Sequence, residues 1–192
     1  MRIAGGEYRG RTVKAPKGDD VRPTQDRVRE ALFSMLLAEL PGARFLDLYA
    51  GTGAVGIEAL GRGAGDVVWV ERDRNVARVT AANVGAIAGA DRVRDIIVSD
   101  VARYARGQGR DAAFDIVFAD PPYADALGDG LAGLCTMLRE CGVVAPEGLL
   151  IVEAPVEAPV PSPEGWTTLR DRTYGKTRLV IRQRDAESKD ER

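Results

Sequence analysis

The segment DLYAGTGAVG, residues 47–56, decides the fold expected for this chain. It overlaps an apolar run at residues 44–49 that is typical of a buried strand, and it leads into a helical pattern at residues 54–61. A GxGxxG motif between a strand and a helix permits a tight turn and a close approach of backbone N–H groups to a ligand. We therefore predict a nucleotide-type ligand at the end of the first strand of an α/β sheet.

Strands and helices alternate on the carboxyl side of this segment. Further strands are predicted at residues 67–71, 93–98, 115–119 and 149–152. Helices are predicted at residues 75–87, 101–105 and 127–140. This alternation predicts a parallel sheet with helices on both faces. After a Pro-rich stretch at residues 154–163, segments 167–173 and 177–184 flank a short turn, which predicts an antiparallel hairpin at the C-terminal end.

The N-terminal segment departs from this alternation. Residues 1–16 read as two short strands whose few apolar side chains cannot form a core, so this hairpin must pack on the body or on a ligand. After a loop at residues 17–23, Thr24 is expected to cap a helix that continues to about Leu40. The expected units are a hairpin at residues 1–20, one domain at residues 21–184 and a disordered tail at residues 185–192.

Composition excludes several classes of protein. The 192 residues are 45% hydrophobic and 29% charged, which is typical of a globular chain with a single core. The absence of histidine excludes a His-based triad and a His metal site. Cys135 and Cys141 are too few for a cysteine zinc site or a disulfide framework, so we expect reduced packing thiols and no metal. Residues 1–11 carry no signal peptide and no run is long enough to span a membrane, so a cytoplasmic protein without membrane contact is expected.

Positive charge is concentrated near the N-terminus, although the formal net charge is −2. Residues 1–18 contain five basic side chains against Glu7 alone. A basic patch on a mildly acidic protein is typical of a docking surface for an anionic partner. The candidate phosphate contacts are Arg2, Arg9, Arg11, Lys14, Arg22 and Arg29.

Carboxylates at the ends of the predicted strands narrow the identity of the ligand. Glu71 lies 20 residues after Gly51, where it can accept hydrogen bonds from two ribose hydroxyls. Asp47 lies four residues before Gly51, where it would repel a pyrophosphate but attract the ammonium and sulfonium groups of S-adenosylmethionine. Asp100 can accept from an adenine amino group while the backbone N–H of Val101 donates to the ring. A turn-stabilising role for Asp47 and a helix-capping role for Asp100 are the alternatives.

Asp120-Pro121-Pro122-Tyr123 follows the predicted strand at residues 115–119 and carries the reaction chemistry. The prolines have no N–H, so the loop presents a carboxylate and a carbonyl, both acceptors, beside an aromatic ring. A nucleobase with an exocyclic amine is complementary to this arrangement. Acceptors on both amine hydrogens aim the nitrogen lone pair at a methyl donor, Asp120 stabilises the developing positive charge, and Tyr123 stacks on the base. A rigid turn with no such role is the alternative.

Together these residues resemble the class I S-adenosylmethionine-dependent methyltransferases. More narrowly, the chain resembles the RsmD family, which methylates guanine N2 in small-subunit (16S) ribosomal RNA. The narrow signature is Arg-Pro-Thr-Gln-Asp-Arg-Val-Arg-Glu at residues 22–30, whereas the other motifs occur in many methyltransferases. The resemblance covers nearly the whole chain and also includes Gly10-Arg11, residues 47–60, Asp120 to Tyr123 and Tyr174-Gly175.

The resemblance implies a Rossmann-like class I methyltransferase fold with a seven-stranded, mostly parallel sheet, a C-terminal antiparallel hairpin and a small N-terminal β-hairpin. It implies that Gly51, Thr52 and Gly53 bracket S-adenosylmethionine, with Glu71 on ribose and with Asp100 and Val101 on adenine. Asp120, Pro121, Pro122 and Tyr123 would hold the target guanine. Arg22, Thr24 and Arg27 would border the methionine end of the donor and the RNA entrance. The expected partner is 16S ribosomal RNA or the assembling small subunit, and the expected state is a monomer.

Three other functions fit parts of this pattern. A DNA adenine-N6 methyltransferase shares the Asp-Pro-Pro-Tyr chemistry, but such enzymes usually add a large recognition domain, and only about 40 residues precede the first strand here. A non-catalytic ribosome-assembly factor would bind donor and RNA without transfer. A nucleotide-dependent oxidoreductase would use the same sheet, but Asp47 disfavours its pyrophosphate.

Overall fold

A single sheet organises the protein. The structure, a computed structural model, describes residues 1–15, 23–126, 129–160 and 162–186. Its strands are β1 (Arg44–Leu48), β2 (Asp66–Glu71), β3 (Ile96–Val98), β4 (Phe114–Ala119), β5 (Val144–Pro155), β6 (Trp166–Tyr174) and β7 (Thr177–Arg184). Its α-helices are α1 (Pro23–Met35), α2 (Ala54–Gly61), α3 (Arg74–Ile87), α4 (Val101–Arg106), α5 (Tyr123–Ala126) and α6 (Gly130–Glu140).

The strand order in the sheet is β3-β2-β1-β4-β5-β7-β6. Strands β1 to β5 are joined by parallel pairings, and β7 runs antiparallel to both β5 and β6. The expected α/β fold, with a seven-stranded, mostly parallel sheet and a C-terminal antiparallel hairpin, is therefore confirmed. A central parallel strand is buried on both faces, and β1 accordingly has four consecutive buried residues.

Two apolar layers cover the two faces of the sheet. On one face, α1, α2 and α3 pack against side chains such as Phe45, Phe118 and Ile151. On the other face, α4, α5 and α6 pack against Leu46, Val117 and neighbouring residues. The alternation of side chains along each strand explains this division, because successive residues point to opposite faces.

Several predicted boundaries differ from the structure. The first helix begins at Pro23 and ends at Met35, so Thr24 lies inside its first turn and is not its N-cap. A proline suits the first helical position, which needs no N–H donor. The predicted strand at 93–98 begins only at Ile96, because a 3-10 helix covers Ala90–Asp95 and sets Val93 against Gly85 of α3. β5 is longer than expected because it pairs on both sides, with β4 and β7.

Other predictions fall partly outside the described residues. The single helix predicted at 127–140 is α6 from Gly130 onward, and its first residues, 127 and 128, lie outside. The same is true of residue 16 of the segment predicted as two short strands, of residues 17–22 of the predicted loop and of residues 187–192 of the tail. The division into a hairpin, a domain and a tail stays a prediction.

Both cysteines are free and buried, as expected for packing thiols. Burial raises the pKa of the Cys135 thiol, and Arg182 donates a hydrogen bond to its sulfur at 3.1 Å. A thiol with a raised pKa has little nucleophilic thiolate. In the described part of the chain, no helix combines the length and the apolar character that crossing a membrane requires.

The N-terminal segment forms a small antiparallel hairpin on the body of the domain. Arg2 bridges Thr12, and the N–H of Ile3 donates to the Arg11 carbonyl at 3.0 Å. Ile3 and Val13 are each 2% exposed and join the core layer of α1 to α3. The hairpin is therefore part of the main core and not an independent appendage.

A buried carboxylate, Glu58 of α2, fastens this hairpin to the domain. Its side chain is fully buried and accepts hydrogen bonds from Arg29 Nε at 2.9 Å, Arg62 Nη2 at 2.7 Å and the Ala4 N–H at 3.2 Å. Arg29 in turn donates to the Arg2 carbonyl at 2.6 Å. The group links the hairpin, α1 and α2, because each of them supplies one partner.

Arg29 is thus committed to this network. Its side chain is 5% exposed, and it also forms an ion pair with Asp26 at 3.0 Å. The expectation that Arg29 contacts RNA phosphates is wrong, because its guanidinium is buried and its donors face protein acceptors.

We expect Glu58→Ala to lower the free energy of unfolding by about 3–5 kcal/mol, because it leaves the buried Arg29 charge without its partner. Urea denaturation followed by circular dichroism measures the change. The matched control is Asp171→Ala in the exposed Arg178–Asp171 pair, which should cost no more than about 1 kcal/mol. Equal losses in the two variants would contradict a special role for Glu58.

Candidate active site

The candidate site lies where the strand order reverses. From β1 the chain adds β2 and β3 on one side, and it then crosses to β4 and β5 on the other. Leu48 at the end of β1 pairs with both Val70 and Ala119, so the carboxyl ends of β1, β2 and β4 are level. Ala119 pairs with Val152 of β5, which continues to Pro155 beyond this level. A crevice outside such a reversal is where open α/β sheets bind ligands.

The glycine loop after β1 has three positions that suit glycine for different reasons. Gly51 and Gly53 have φ of 53° and 78°, a region that side chains disfavour. A Cβ on Gly53 would lie 2.8 Å from Thr80, and one on Gly56 would lie 2.2 Å from the Trp69 ring nitrogen. At Gly51, by contrast, the nearest atom would be 3.8 Å away. Gly53 and Gly56 therefore permit close packing, whereas Gly51 is required by its backbone conformation and not by a close neighbour.

Two polar residues of α3, which sequence reasoning missed, hold this loop. Thr80 Oγ1 donates to the Gly51 carbonyl at 2.6 Å, and Asn83 Nδ2 donates to the Thr52 carbonyl at 2.9 Å. Asn83 also donates to the Lys14 carbonyl and accepts from the Lys14 N–H, both at 2.9 Å. Two polar residues on the buried face of an amphipathic helix were the available signal. Asn83 joins the glycine loop to the N-terminal hairpin.

Asp47 has the turn-stabilising role that was the alternative to ligand binding. It is 1% exposed, and its Oδ2 accepts the Gly56 N–H at 2.9 Å. Burial raises its pKa well above the usual value, the Gly56 bond opposes this, and the negative charges of Asp120 and Glu71 add to it. These charge effects indicate that the carboxyl groups of Asp47, Glu71 and Asp120 lie close together at the strand ends.

Glu71 and Asp100 also bond to backbone groups. Glu71 accepts the Gly51 N–H at 3.0 Å and the Asp73 N–H at 2.9 Å. Asp100 accepts from the N–H groups of Ala102 and Arg103, at 2.9 and 3.2 Å, which is the helix-capping alternative. A carboxylate has about four acceptor sites, so both side chains keep capacity for a ligand. Their proposed contacts to ribose and adenine stay predictions.

The Asp-Pro-Pro-Tyr loop leaves β4 directly into α5. The Pro122 carbonyl accepts from Asp125 at 2.8 Å and so begins that helix, whereas the Pro121 carbonyl has no hydrogen bond within the described residues. Asp120 is accessible to solvent, yet the protein atoms around it raise its pKa to about 6. The Tyr123 ring is 59% exposed. An acceptor carbonyl, a carboxyl and an open aromatic face therefore border the crevice.

Two further residues at this edge were not predicted. Tyr49 has φ of 59°, and Asp125, Asp100 and Arg72 lie close enough to influence its hydroxyl. It therefore lies between the ends of the central strands and the Asp-Pro-Pro-Tyr loop. No sequence signal marked Tyr49, because its position at the strand end and its backbone conformation are visible only in the fold.

Glu153 of β5 is the second unpredicted residue. Burial raises its pKa from 4.5 to about 8, the charge of Asp120 adds to this rise, and Arg29 opposes it. A glutamate at the carboxyl end of a predicted strand was the available signal, but the predicted strand ended at residue 152.

The predicted RNA contacts divide into three groups. Arg2, Arg9, Arg11, Lys14 and Arg27 are exposed. Arg29 is buried, as described above. Arg22 and the side chain of Thr24 lie outside the described residues. Within the described residues, no group of three or more acidic, His or Cys side chains is arranged to hold a metal ion.

A family model described as Conserved hypothetical protein 95 matches residues 1–183. The chain belongs to this family. Ribosomal RNA small subunit methyltransferase D of Escherichia coli K12 is 36% identical over 189 residues, which cover 97% of this chain and 91% of that protein. The Haemophilus influenzae protein of the same name is 33% identical over 175 residues, which cover 91% and 89%. The resemblance to the RsmD family is confirmed.

Solved structures agree with the fold. The structure of yhhF from Escherichia coli has a TM-score of 0.81 to this chain at 34% identity, covering 97% of this chain and 99% of that one. The chain therefore has the Rossmann-like class I methyltransferase fold.

We expect Glu153→Gln to flatten the pH dependence of stability between pH 6 and 8. Native Glu153 keeps its proton to about pH 8, whereas the unfolded chain releases it near 4.5. Its contribution is complete below pH 4.5 and is lost as the pH rises through 8, by about 1.4 kcal/mol per pH unit at most. Urea denaturation across this range measures it. The exposed Glu157→Gln is the control, and identical slopes for the wild type and Glu153→Gln would contradict the shift.

Proposed function

We propose that this protein transfers a methyl group from S-adenosylmethionine to the N2 amine of a guanine in small-subunit ribosomal RNA. The observation that carries the proposal is the juxtaposition of Asp120, Asp47 and Glu71 at one strand reversal, with the open ring of Tyr123 beside them. The names of the two relatives above support ribosomal RNA as the substrate.

The strand reversal suits S-adenosylmethionine by its glycine loop and by its charge. A Cβ on Gly51 would meet no atom closer than 3.8 Å, so the loop backbone there is not packed tightly against other residues. The spare acceptor sites of Glu71 suit ribose hydroxyls, and those of Asp100 with the N–H of Val101 suit adenine. Asp47, Glu71 and Asp120 give this edge a negative potential that favours the ammonium and sulfonium groups. When bound, the donor supplies a methyl group on a positively charged sulfur.

The protein's part in the reaction is to orient the amine and to accept charge. The Asp120 carboxylate and the unbonded Pro121 carbonyl accept from the two N2 hydrogens, so the nitrogen lone pair points at the donor methyl. Tyr123 stacks on the base and fixes its plane, which contributes about 1–3 kcal/mol. As the S–CH3 bond breaks and the N2–CH3 bond forms, N2 becomes positive. It then loses one proton, through Asp120, to solvent.

The exposed basic residues of the hairpin supply the RNA-docking surface. Arg2, Arg9, Arg11 and Lys14 lie on a segment that Asn83 ties to the glycine loop. Phosphate contacts from such a segment position a folded RNA, while the base contacts at Asp120 specify the target. A target base in a helix must be flipped out of its stack.

Asp120→Ala tests catalysis directly. We expect the loss of an oriented acceptor to reduce kcat by at least about 100-fold while the fold and donor affinity persist. Transfer of labelled methyl to small-subunit RNA or to assembled subunits, and calorimetry with S-adenosylmethionine, measure the two effects.

The control is Asp129→Ala, because Asp129 is exposed and makes no side-chain cap at the start of α6. Full turnover by Asp120→Ala would refute the assignment and would leave a donor- and RNA-binding assembly factor. Methylation of duplex DNA in preference to RNA would favour a DNA adenine methyltransferase. Stabilisation of the protein against unfolding by NADH, but not by S-adenosylmethionine, would favour an oxidoreductase.

Charge reversal tests the docking surface. We expect Arg9→Glu combined with Arg11→Glu to weaken RNA binding and to reduce the slope of log affinity against log salt by about 1 for each lost phosphate contact. The control is Arg110→Glu, at the amino end of β4 and so at the opposite edge of the sheet. Point variants are used because a deletion of the hairpin would also remove Ile3 and Val13, which belong to the core. An unchanged salt slope would exclude the hairpin from docking.

A further inference from the structure

Glu153 lies beside Asp120 on the neighbouring strand. Ala119 of β4 pairs with Val152 of β5, so Asp120 and Glu153 are the next residues along these two parallel strands. Phe118 and Ile151, two residues earlier, both belong to the core layer under α1 to α3. Because side chains alternate along a strand, Asp120 and Glu153 point to that same face.

No hydrogen bond or ion pair holds the Glu153 side chain within the described residues. Across the sheet it pairs with Leu179 of β7, which is buried and apolar. Arg29 of α1 lies close enough to influence it, but the Arg29 donors are bonded to Glu58, the Arg2 carbonyl and Asp26. A partly buried carboxyl group without a structural partner is costly, and such groups are frequent where a ligand supplies the missing partner.

The charge state of this pair leaves acceptors for a neutral ligand. Burial raises the pKa of both groups, to about 6 for Asp120 and to about 8 for Glu153, so the pair holds about one proton near neutral pH and carries one negative charge. A carboxylate only accepts, and a carboxyl group that holds the proton presents its carbonyl oxygen to the base when its hydroxyl is turned away. In that arrangement both side chains can accept from donors placed side by side.

Guanine and adenine differ at this point. The Watson–Crick edge of guanine carries two adjacent donors, N1–H and the N2 amine. In adenine the amine lies beside an N1 that is itself an acceptor, and an oxygen facing it would meet a lone pair. Acceptors that face both N1–H and the amine therefore match guanine. Acceptors that face only the amine would serve both bases.

We propose that Glu153 determines the specificity of this site for guanine by accepting the N1–H of the target base while Asp120 accepts from its N2 amine. This inference rests on the proposed function, because it concerns the base that the same crevice would hold. Glu153 takes no part in the bond that forms at N2.

The test compares three enzymes on two matched RNAs. The wild type, Glu153→Gln and Glu153→Leu are assayed on small-subunit RNA fragments that carry guanine or 2-aminopurine at the methylated position, mapped beforehand by mass spectrometry with the wild type. 2-Aminopurine keeps the amine at C2 but lacks both the N1–H and the O6 of guanine. The Glu153 variants separate these two losses, because only the N1–H contact is assigned to Glu153.

We expect the wild type to prefer guanine over 2-aminopurine in kcat/KM by roughly 5- to 150-fold, the range of a specific base contact. Glu153→Gln retains an acceptor oxygen and keeps most of this preference. Glu153→Leu loses it, through a lower kcat/KM on guanine with little change on 2-aminopurine. If the role of Glu153 were purely structural, Glu153→Leu would reduce kcat/KM equally on both RNAs.

The possible outcomes distinguish failure of the role assigned to Glu153 from failure of the proposed methyl transfer. If Glu153→Leu keeps the wild-type ratio of kcat/KM between the two RNAs, including by lowering kcat/KM equally on both, Glu153 does not read the base. If the wild type methylates neither RNA although it binds S-adenosylmethionine, the proposed function itself fails. Melting temperatures of the three enzymes, and donor affinity by calorimetry, establish that each variant is folded and competent.

Discussion

The crowding of carboxyl groups at the carboxyl ends of β1, β2, β4 and β5 is the constraint on which the site depends. Asp47, Glu71, Asp120 and Glu153 lie there. Burial raises the pKa of Asp47 and of Glu153, and neighbouring like charges add to the rise. Like charges at this spacing are unfavourable unless backbone donors, protons or a cationic ligand offset them. The arrangement of the surrounding loops follows from which groups offset the negative charge of each carboxylate.

Backbone N–H groups compensate the two carboxylates on the donor side. Asp47 bonds to Gly56 and Glu71 bonds to Gly51, so the negative charges also fix the shape of the glycine loop. Asp120 and Glu153 have no such bonds in the described residues. Burial raises their pKa values to about 6 and 8, so the pair keeps about one proton near neutral pH. The edge is thus divided into a rigid half suited to a cationic donor and a half whose acceptors are free for a target amine.

The N-terminal hairpin is connected to the glycine loop and to helices α1 and α2. Glu58 ties it to α1 and α2 through buried ion pairs, and Asn83 ties Lys14 to the carbonyl of Thr52. A surface proposed to bind RNA is therefore bonded to the loop proposed to bind the donor. The basic residues near the N-terminus therefore differ in role, since Arg29 of α1 is structural while Arg9 and Arg11 of the hairpin remain exposed.

The sequence by itself determined the order of the elements and the identity of the site. Alternating apolar runs, the glycine loop and the Asp-Pro-Pro-Tyr motif are local patterns, and they located β1, β4 and the residues that border the crevice. Boundaries were less certain, as at residues 93–95, where packing of Val93 against Gly85 selects a 3-10 helix.

Only the tertiary structure decided what depends on distant residues. Arg29 and the exposed arginines look alike in sequence, and it is Glu58, 29 residues away, that makes Arg29 a buried partner. The pairing register of β4 and β5 places Glu153 beside Asp120, which lies 33 positions earlier in the chain. Burial and like-charge proximity are properties of three-dimensional neighbours, and no local sequence pattern records them.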